Sequence, residues 1–283
     1  GYGTQATGHT AFSSGFSTVA SGNYSTAMGN DSDASGNYST AFGYGTTALG
    51  TISTAMGLAT NANGYAATAM GFNSTAGGNY STAMGYQSTA SGNYSTAMGE
   101  GSTASGNRST AMGKTTTASD FASVVIGQYN DSGSSVTNNA TSFNTANTAF
   151  VIGNGTSGSL SDAFKVMFNG DTTVSNDLTV SGDVNISSDA RLKSNIVSLG
   201  STLSKLLLID GKSYTMNKSG EEKIGILAQD IQEVFPELVS KDDNEMLSVN
   251  YQGLVPVLIN AIKEQEDKIS RLENLVEQLI TEK

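Results

Sequence analysis

The block NYSTAMGYQSTASG (79–92) is followed by NYSTAMGEGSTASG (93–106), and the two differ at two positions. Working outward, a half-period of seven appears. Glycine recurs at 8, 15, 22, 29, 36, 43, 50, 57, 64, 71, 78, 85, 92, 99, 106 and 113 without an insertion. Asp120 replaces the next glycine, and Gly127 resumes the phase. A helix does not tolerate glycine at every seventh residue, and collagen needs it at every third. The spacing instead predicts a short strand, a glycine corner and another short strand. Period-2 alternation puts Thr82 and Met84 on one face and Ser81 and Ala83 on the other. Met28, Met56, Met70, Met84, Met98 and Met112 share one phase, with Phe42 in the gap. Stacked coils would line them into a continuous inner row. At 14 residues per coil and about 4.8 Å between stacked strands, residues 1–120 make a rod of roughly 40 Å. One large apolar side chain per coil is a thin core against an ordering cost of about 1–2 kcal/mol per residue. Association of several rods through their small-residue faces is the expected remedy.

Composition bounds the chemistry. Among 283 residues there are 33 glycines, 2 prolines, 1 histidine and no cysteine or tryptophan. Disulfides, thiolate metal sites and cysteine nucleophiles are excluded. A single histidine, His9, excludes a multi-histidine metal site, so no metal and no cofactor is expected. No apolar run is long enough for a transmembrane helix, and no signal peptide is visible. The net charge of -11 argues against nucleic acid and anionic membranes as partners. Charge is uneven: residues 1–120 carry six charged side chains, residues 188–283 carry 27. The fold class expected is mainly β with an α+β C-terminal domain. Gly1 begins mid-repeat, as in a piece of a longer fibre.

The repeat resembles the head of trimeric autotransporter adhesins, over about residues 4–127. The resemblance implies a left-handed parallel β-roll with three chains side by side. Threonine and methionine stand here where that family prefers valine and isoleucine. The Ser/Thr rows read as solvated strand faces, or as a surface for a glycan, a protein receptor or ice. Tyr24, Tyr38, Tyr80 and Tyr94 recur at one corner, either packing the turn or offering stacking platforms to sugars. The Asn-Tyr-Ser triplets match glycosylation acceptors but also serve as repeat corners.

After residue 120 the period fades. SVVIGQYN (123–130) and AFVIGNGT (149–156) read as two longer strands, joined by a Ser/Asn/Thr-rich loop. AFKVMFNGDTTV (163–174) reads as a hairpin turning at Asn169-Gly170. DLTVSGDVNI (177–186) alternates apolar and polar residues, as a slender β stem would. The boundaries expected are a repeat roll at 1–120, a β-rich transition at 121–158, a trimeric stem at 159–187 and a C-terminal domain at 188–283.

NISSDARLKSNI (185–196) holds Ser188 and, five residues on, Lys193. A serine nucleophile needs a base, and with the one histidine at position 9 a lysine is the base at hand. The spacing is common and by itself says almost nothing; on the motif alone, Ser188 or Asp189 capping a helix near Arg191 is the preferred account. KIGILAQDIQEVFPELV (223–239) reads as a strand and a short helix ending near Pro236, MLSVNY (246–251) as a strand. LVPVLINAIKEQEDKISRLENLVEQLITEK reads as a long helix to the chain end. Val255, Ile262, Ile269 and Val276 take one heptad position; Leu258, Gln265, Leu272 and Leu279 take the other. In a free peptide that pattern favours a dimer.

Ser188-Asp189-Ala190-Arg191-Leu192-Lys193, Gly225, Ala228-Gln229, Pro236-Glu237, Val239, Tyr251, Leu254, Pro256, Leu258 and Ala261-Ile262 resemble the intramolecular chaperone domain of endosialidase-type phage tailspikes and tail fibres. The resemblance covers residues 188–283. It implies a trimer, here ending in a parallel three-stranded coiled coil, that templates the fibre ahead of it and then cuts itself off. Ser188 would be the nucleophile, Lys193 the base and Ser187–Ser188 the scissile bond; Asp189 and Arg191 would orient. The enzyme implied is a single-turnover serine endopeptidase. The function expected is a trimeric receptor-binding fibre of a virion tail, meeting a host-surface glycan or protein. A bacterial surface adhesin, or a spacer with a non-cleaving cap, is the alternative.

Overall fold

The computed structural model describes residues 1–132, 136–217, 219–242 and 245–281, and the chain divides into two compact units, Gly1–Asp183 and Val184–Lys283. In the first, each coil supplies a five-residue strand and a two-residue strand, as in Thr82–Tyr86 and Thr89–Ala90. Long strands stack on long and short on short, all parallel. Thr82 pairs with Thr96, Met84 with Met98 and Thr89 with Thr103, so the sequence period is the sheet register. Short strands form one nine-stranded sheet, and the long strands belong to a twelve-stranded sheet. The result is a β-solenoid of about nine turns.

The interior differs from the expected one. Ala27, Ala41, Ala55, Ala69, Ala83, Ala97 and Ala111 are fully buried, together with Ser25, Ser39, Ser53, Ser81, Ser95 and Ser109. Thr82 and Met84 point outward, half-buried. The inner row is therefore alanine and serine, and the methionine row lies on the outer face. The cause is the shortness of the coil: seven residues per side bring the two sheets so close that only a methyl or hydroxymethyl group fits between them. In this row Ser81 and Ser95 donate to Gly78 O and Gly92 O at 2.6 Å, while the hydroxyls of Ser25, Ser39, Ser53 and Ser109 are buried without a hydrogen-bond partner among the described residues. The serines of the short-strand side find carbonyls across the coil. Ser74 and Ser88 donate to Gly85 O and Gly99 O, each at 3.0 Å. The glycines are set by the stacking itself: a Cβ on Gly92 would lie 2.1 Å from the Gly106 carbonyl oxygen.

Asp120 takes the glycine phase at the last short strand, the sheet edge, where no further coil stacks. Its carboxylate instead accepts the backbone N–H groups of Thr137 at 2.6 Å and Thr148 at 2.8 Å. Residues 136–147 are thereby held against the roll, where Asn107 and Phe121 N–H donate to Ala140 and Asn139 carbonyls at 2.8 and 3.0 Å. The long-strand sheet continues past them. Val124–Gln128 pairs in parallel with Thr148–Asn154, Val125 opposite Val151. The antiparallel strands Asp162–Met167 and Thr172–Val174 follow, with Gly170 at φ +94 in their turn. Beyond Val174, Leu178, Val180, Val184 and Ile186 are exposed and form no ladder within the single chain.

In the second unit, α1 (Leu203–Leu206), α2 (Ala228–Val234) and α3 (Leu254–Thr281) surround a small core of Ile231, Phe235 and Val257. Two hairpins complete it: Lys212–Thr215 with Glu222–Gly225, and Val239–Lys241 with Leu247–Val249. Pro236 ends α2, since it cannot supply the next helical N–H. The long helix is described to Thr281; residues 282–283 lie outside the described residues.

Candidate functional site

The site on Ser188–Lys193 is built by a single tight turn. Asp189 has φ -62 and ψ 135, and its carboxylate accepts the Arg191 N–H at 2.8 Å, capping the 3-10 turn Ala190–Leu192. The Arg191 guanidinium returns to the same carboxylate, Nε at 3.0 Å and Nη2 at 2.7 Å. The Arg191 hydrogen bonds hold the Asp189 carboxyl below its usual range, and Asp189 raises the guanidinium in turn. Turning the chain here brings residues five apart together. Lys193 Nζ donates to Ser188 Oγ at 2.7 Å.

The capping role expected of this segment falls to Asp189. Asp189 is the cap of a short turn, and that turn makes the Ser–Lys pair. Ser187, Ser188, Asp189, Arg191 and Lys193 are all exposed in the single chain. Lys193 Nζ and Ser188 Oγ thus lie within hydrogen-bond reach of one another in the single chain.

The residues expected on the roll sit elsewhere. Tyr24 stacks on Tyr38 with ring centroids 5.0 Å apart, and Tyr80 on Tyr94 at 4.9 Å. His9 lies edge-on to Tyr24 at 5.5 Å. The corner asparagines form their own ladder, Asn23 N–H donating to Asn37 Oδ1 at 2.9 Å. Among the described residues no cluster of acidic or histidine side chains could hold a metal.

Sequence reasoning missed Glu264. From α3 it accepts Ser201 Oγ at 2.6 Å, the Leu203 N–H at 3.2 Å and the Thr202 N–H. No local pattern joins residues 62 positions apart.

Two family models match the chain. The YadA head domain repeat (2 copies) matches residues 6–32, 34–60, 62–88, 76–102, 90–116 and 104–129, and the chaperone of endosialidase matches residues 188–240. The chain joins YadA-type head repeats to an endosialidase-type chaperone domain. No curated protein matches it. Its two parts fit a trimeric adhesin or tail-fibre protein with a chaperone domain, and the chaperone family is one of self-cleaving peptidases. The chaperone match opens at Ser188 and includes Lys193. No helix among the described residues is long and apolar enough to cross a membrane.

Proposed function

We propose that this chain is part of a trimeric tail fibre of a virion, whose head repeats meet a host-surface receptor. Its C-terminal domain, residues 188–283, gathers three chains, sets their register and then releases itself by cleavage at Ser187–Ser188. The roll (1–120), transition (121–158) and stem (159–187) are the parts it leaves behind. The observation that carries this reading is the 2.7 Å contact between Lys193 Nζ and Ser188 Oγ inside the chaperone-family segment.

The chemistry needs only residues of this chain and water. Neutral Lys193 takes the Ser188 hydroxyl proton as Oγ attacks the Ser187 carbonyl carbon. The C–O bond forms and the C–N bond breaks, and the lysine returns its proton to the departing Ser188 amine. Water then hydrolyses the ester, leaving a Ser187 carboxylate and Ser188 as a new N-terminus. Asp189 and Arg191 hold the turn. One cut per chain is the whole reaction.

A repetitive roll needs such a helper. A slip of 14 residues presents almost the same pairs, so the pattern specifies register weakly. The exposed Val255, Leu258, Ile262, Ile269, Leu272, Val276 and Leu279 of α3 give three copies a helical seam. Gln265 lies on that seam. The outward Thr/Met row gives the rolls a second contact face. Removing the helper afterwards makes unfolding irreversible, which is kinetic stability.

The test is the intact mass of the heat-dissociated full chain beside Ser188→Ala and Lys193→Ala. Fragments of 187 and 96 residues in wild type, and whole chains in both variants, are expected. A wild type that stays whole in a folded trimer overturns the cleavage and leaves a permanent cap. The head-repeat match favours a second reading, a trimeric surface adhesin of a bacterium, or a spacer.

A further inference from the structure

The heptad repeat of α3 has the same weakness as the roll. A helix slipped by seven residues past its neighbours presents nearly the same apolar side chains, as a roll slipped by one coil does. A helix that sets the register of other chains therefore needs a mark that breaks its own repeat. Of the eight seam positions from Val255 to Leu279, seven are apolar and one, Gln265, is polar. Gln265 is exposed in the single chain, as Ile262 and Ile269 on either side of it are. The domain core uses a different face of α3, where Val257 and Ala261 are buried.

In register, three Gln265 side chains meet at one level, and each amide brings both donors and an acceptor for its neighbours. Slipped by one heptad, Gln265 is set against Leu258 or Leu272 of another copy. Its amide is then buried without a partner, which is costly. A single polar seam residue can specify register in this way, at some cost in stability.

The flanks carry the direction. In a parallel coil, the residue just before the first seam position of a heptad faces a residue five positions further on in the neighbouring helix. That rule sets Lys268 against Glu273 of a second copy, and Leu275 against Ile280. Reversing one helix instead brings the glutamates of this flank, Glu266 and Glu273, against one another. Ile259, Leu275 and Ile280 lie beside the seam and are exposed in the single chain. They make the apolar stripe broader than the two-position seam of a two-stranded coil, which suits contact with two neighbours. We propose that Gln265 is the register key of α3 and that Lys268 and Glu273 fix its direction. The occupants of this face are two further copies of the same helix, parallel and unslipped. The inference deepens the assembly reading above and rests on it.

The test uses the full chain carrying Ser188→Ala, which keeps it whole, and Leu279→Cys. The chain has no cysteine of its own, so the added thiol reports only on its copies. Unslipped parallel helices bring these thiols together, whereas a slip of one heptad parts them by roughly 10 Å along the axis, beyond disulfide reach. Light scattering reads the mass, and a denaturing gel after mild oxidation reads the linked fraction. The parent is expected to be a trimer that links. Adding Gln265→Leu is expected to keep the trimer and its melting temperature, while the linked fraction falls about twofold or more. Adding Lys268→Glu is expected to lower the linked fraction at low salt, and Lys268→Glu with Glu273→Lys to restore it. Linkage as full with Gln265→Leu as in the parent overturns the register key. A Gln265→Leu chain that no longer assembles makes Gln265 an ordinary structural contact and overturns it too. A charge reversal that the double variant does not rescue overturns the directional pair. A trimeric parent that does not link puts the register outside α3 and refutes the proposal, while the assembly reading stands. A monomeric parent fails the assembly reading, and this one with it.

Discussion

Asp120 Oδ2 accepts the backbone N–H of Thr148 at 2.8 Å, linking the last short strand to the first residue of a long strand 28 positions on. Asp120 Oδ1 takes Thr137 N–H at 2.6 Å. One buried carboxylate thus pins both ends of the insertion and covers the sheet edge that open pairing would otherwise exploit. Asp120→Ala leaves the buried Thr148 N–H without its partner, at about 1–3 kcal/mol, and hands the exposed Thr137 N–H to water. Hydrogen exchange is expected to show lost protection at Thr137 and Thr148 and unchanged protection in Thr82–Tyr86. Equal loss in both places would mean that Asp120 supports the whole roll.

Gly92 and Gly77 make a matched pair of probes. A Cβ on Gly92 would sit 2.1 Å from Gly106 O, whereas one on Gly77 finds nothing nearer than 4.0 Å. Gly92→Ala must push two coils apart and is expected to cost about 1–3 kcal/mol, as overpacking does. Gly77→Ala is expected to leave the melting temperature unchanged or slightly higher, because alanine restricts the unfolded chain. Thermal melts of the two variants decide whether coil spacing sets the glycine phase.

The solenoid was legible because its period is also its register: every seventh glycine marks a place where backbone meets backbone. Which face points inward was not legible. Alternation separates Thr82 and Met84 from Ser81 and Ala83, but hydrophobicity ranks methionine as core. Only the separation of the two sheets, a tertiary quantity, reverses that ranking. Ser188 and Lys193 were legible as a pair. The turn that joins them was legible too, since Asp189 is a capping residue. Glu264 was not, because its partners at Ser201, Thr202 and Leu203 come from distant sequence. Asp120 was visible only as a break in phase; its role depends on the edge it closes.

The seam on α3 is separable from the domain's own core. Ile262 and Ile269 are exposed in the single chain, while Ile231, Phe235 and Val257 are buried. Ile262→Ser with Ile269→Ser is expected to keep the helical circular dichroism of the domain and to abolish assembly. Light scattering reads the mass. A variant that remains trimeric would move the assembly contact to the roll.

Glu264 gives the chaperone domain an acid-sensitive clasp. Hydrogen bonds from Ser201 and Thr202, the two largest influences, lower its carboxyl below the ordinary carboxylate range. A depressed carboxyl contributes stability that is fully present above the unfolded-state value. That contribution is lost as pH falls through the folded-state value. The segment around α1 is also held by Thr202 Oγ1 to Val257 O at 2.9 Å and Asn260 Nδ2 to Gly200 O at 3.3 Å, neither of which titrates. Acid is therefore expected to loosen the clasp without releasing the segment. The exchange rate of the Leu203 amide, corrected for its intrinsic pH dependence, should rise as pH drops below the carboxylate range. In Glu264→Gln that rate should be raised at neutral pH and lose its pH dependence. A Leu203 amide whose protection follows pH equally in both proteins would assign the effect to another carboxylate.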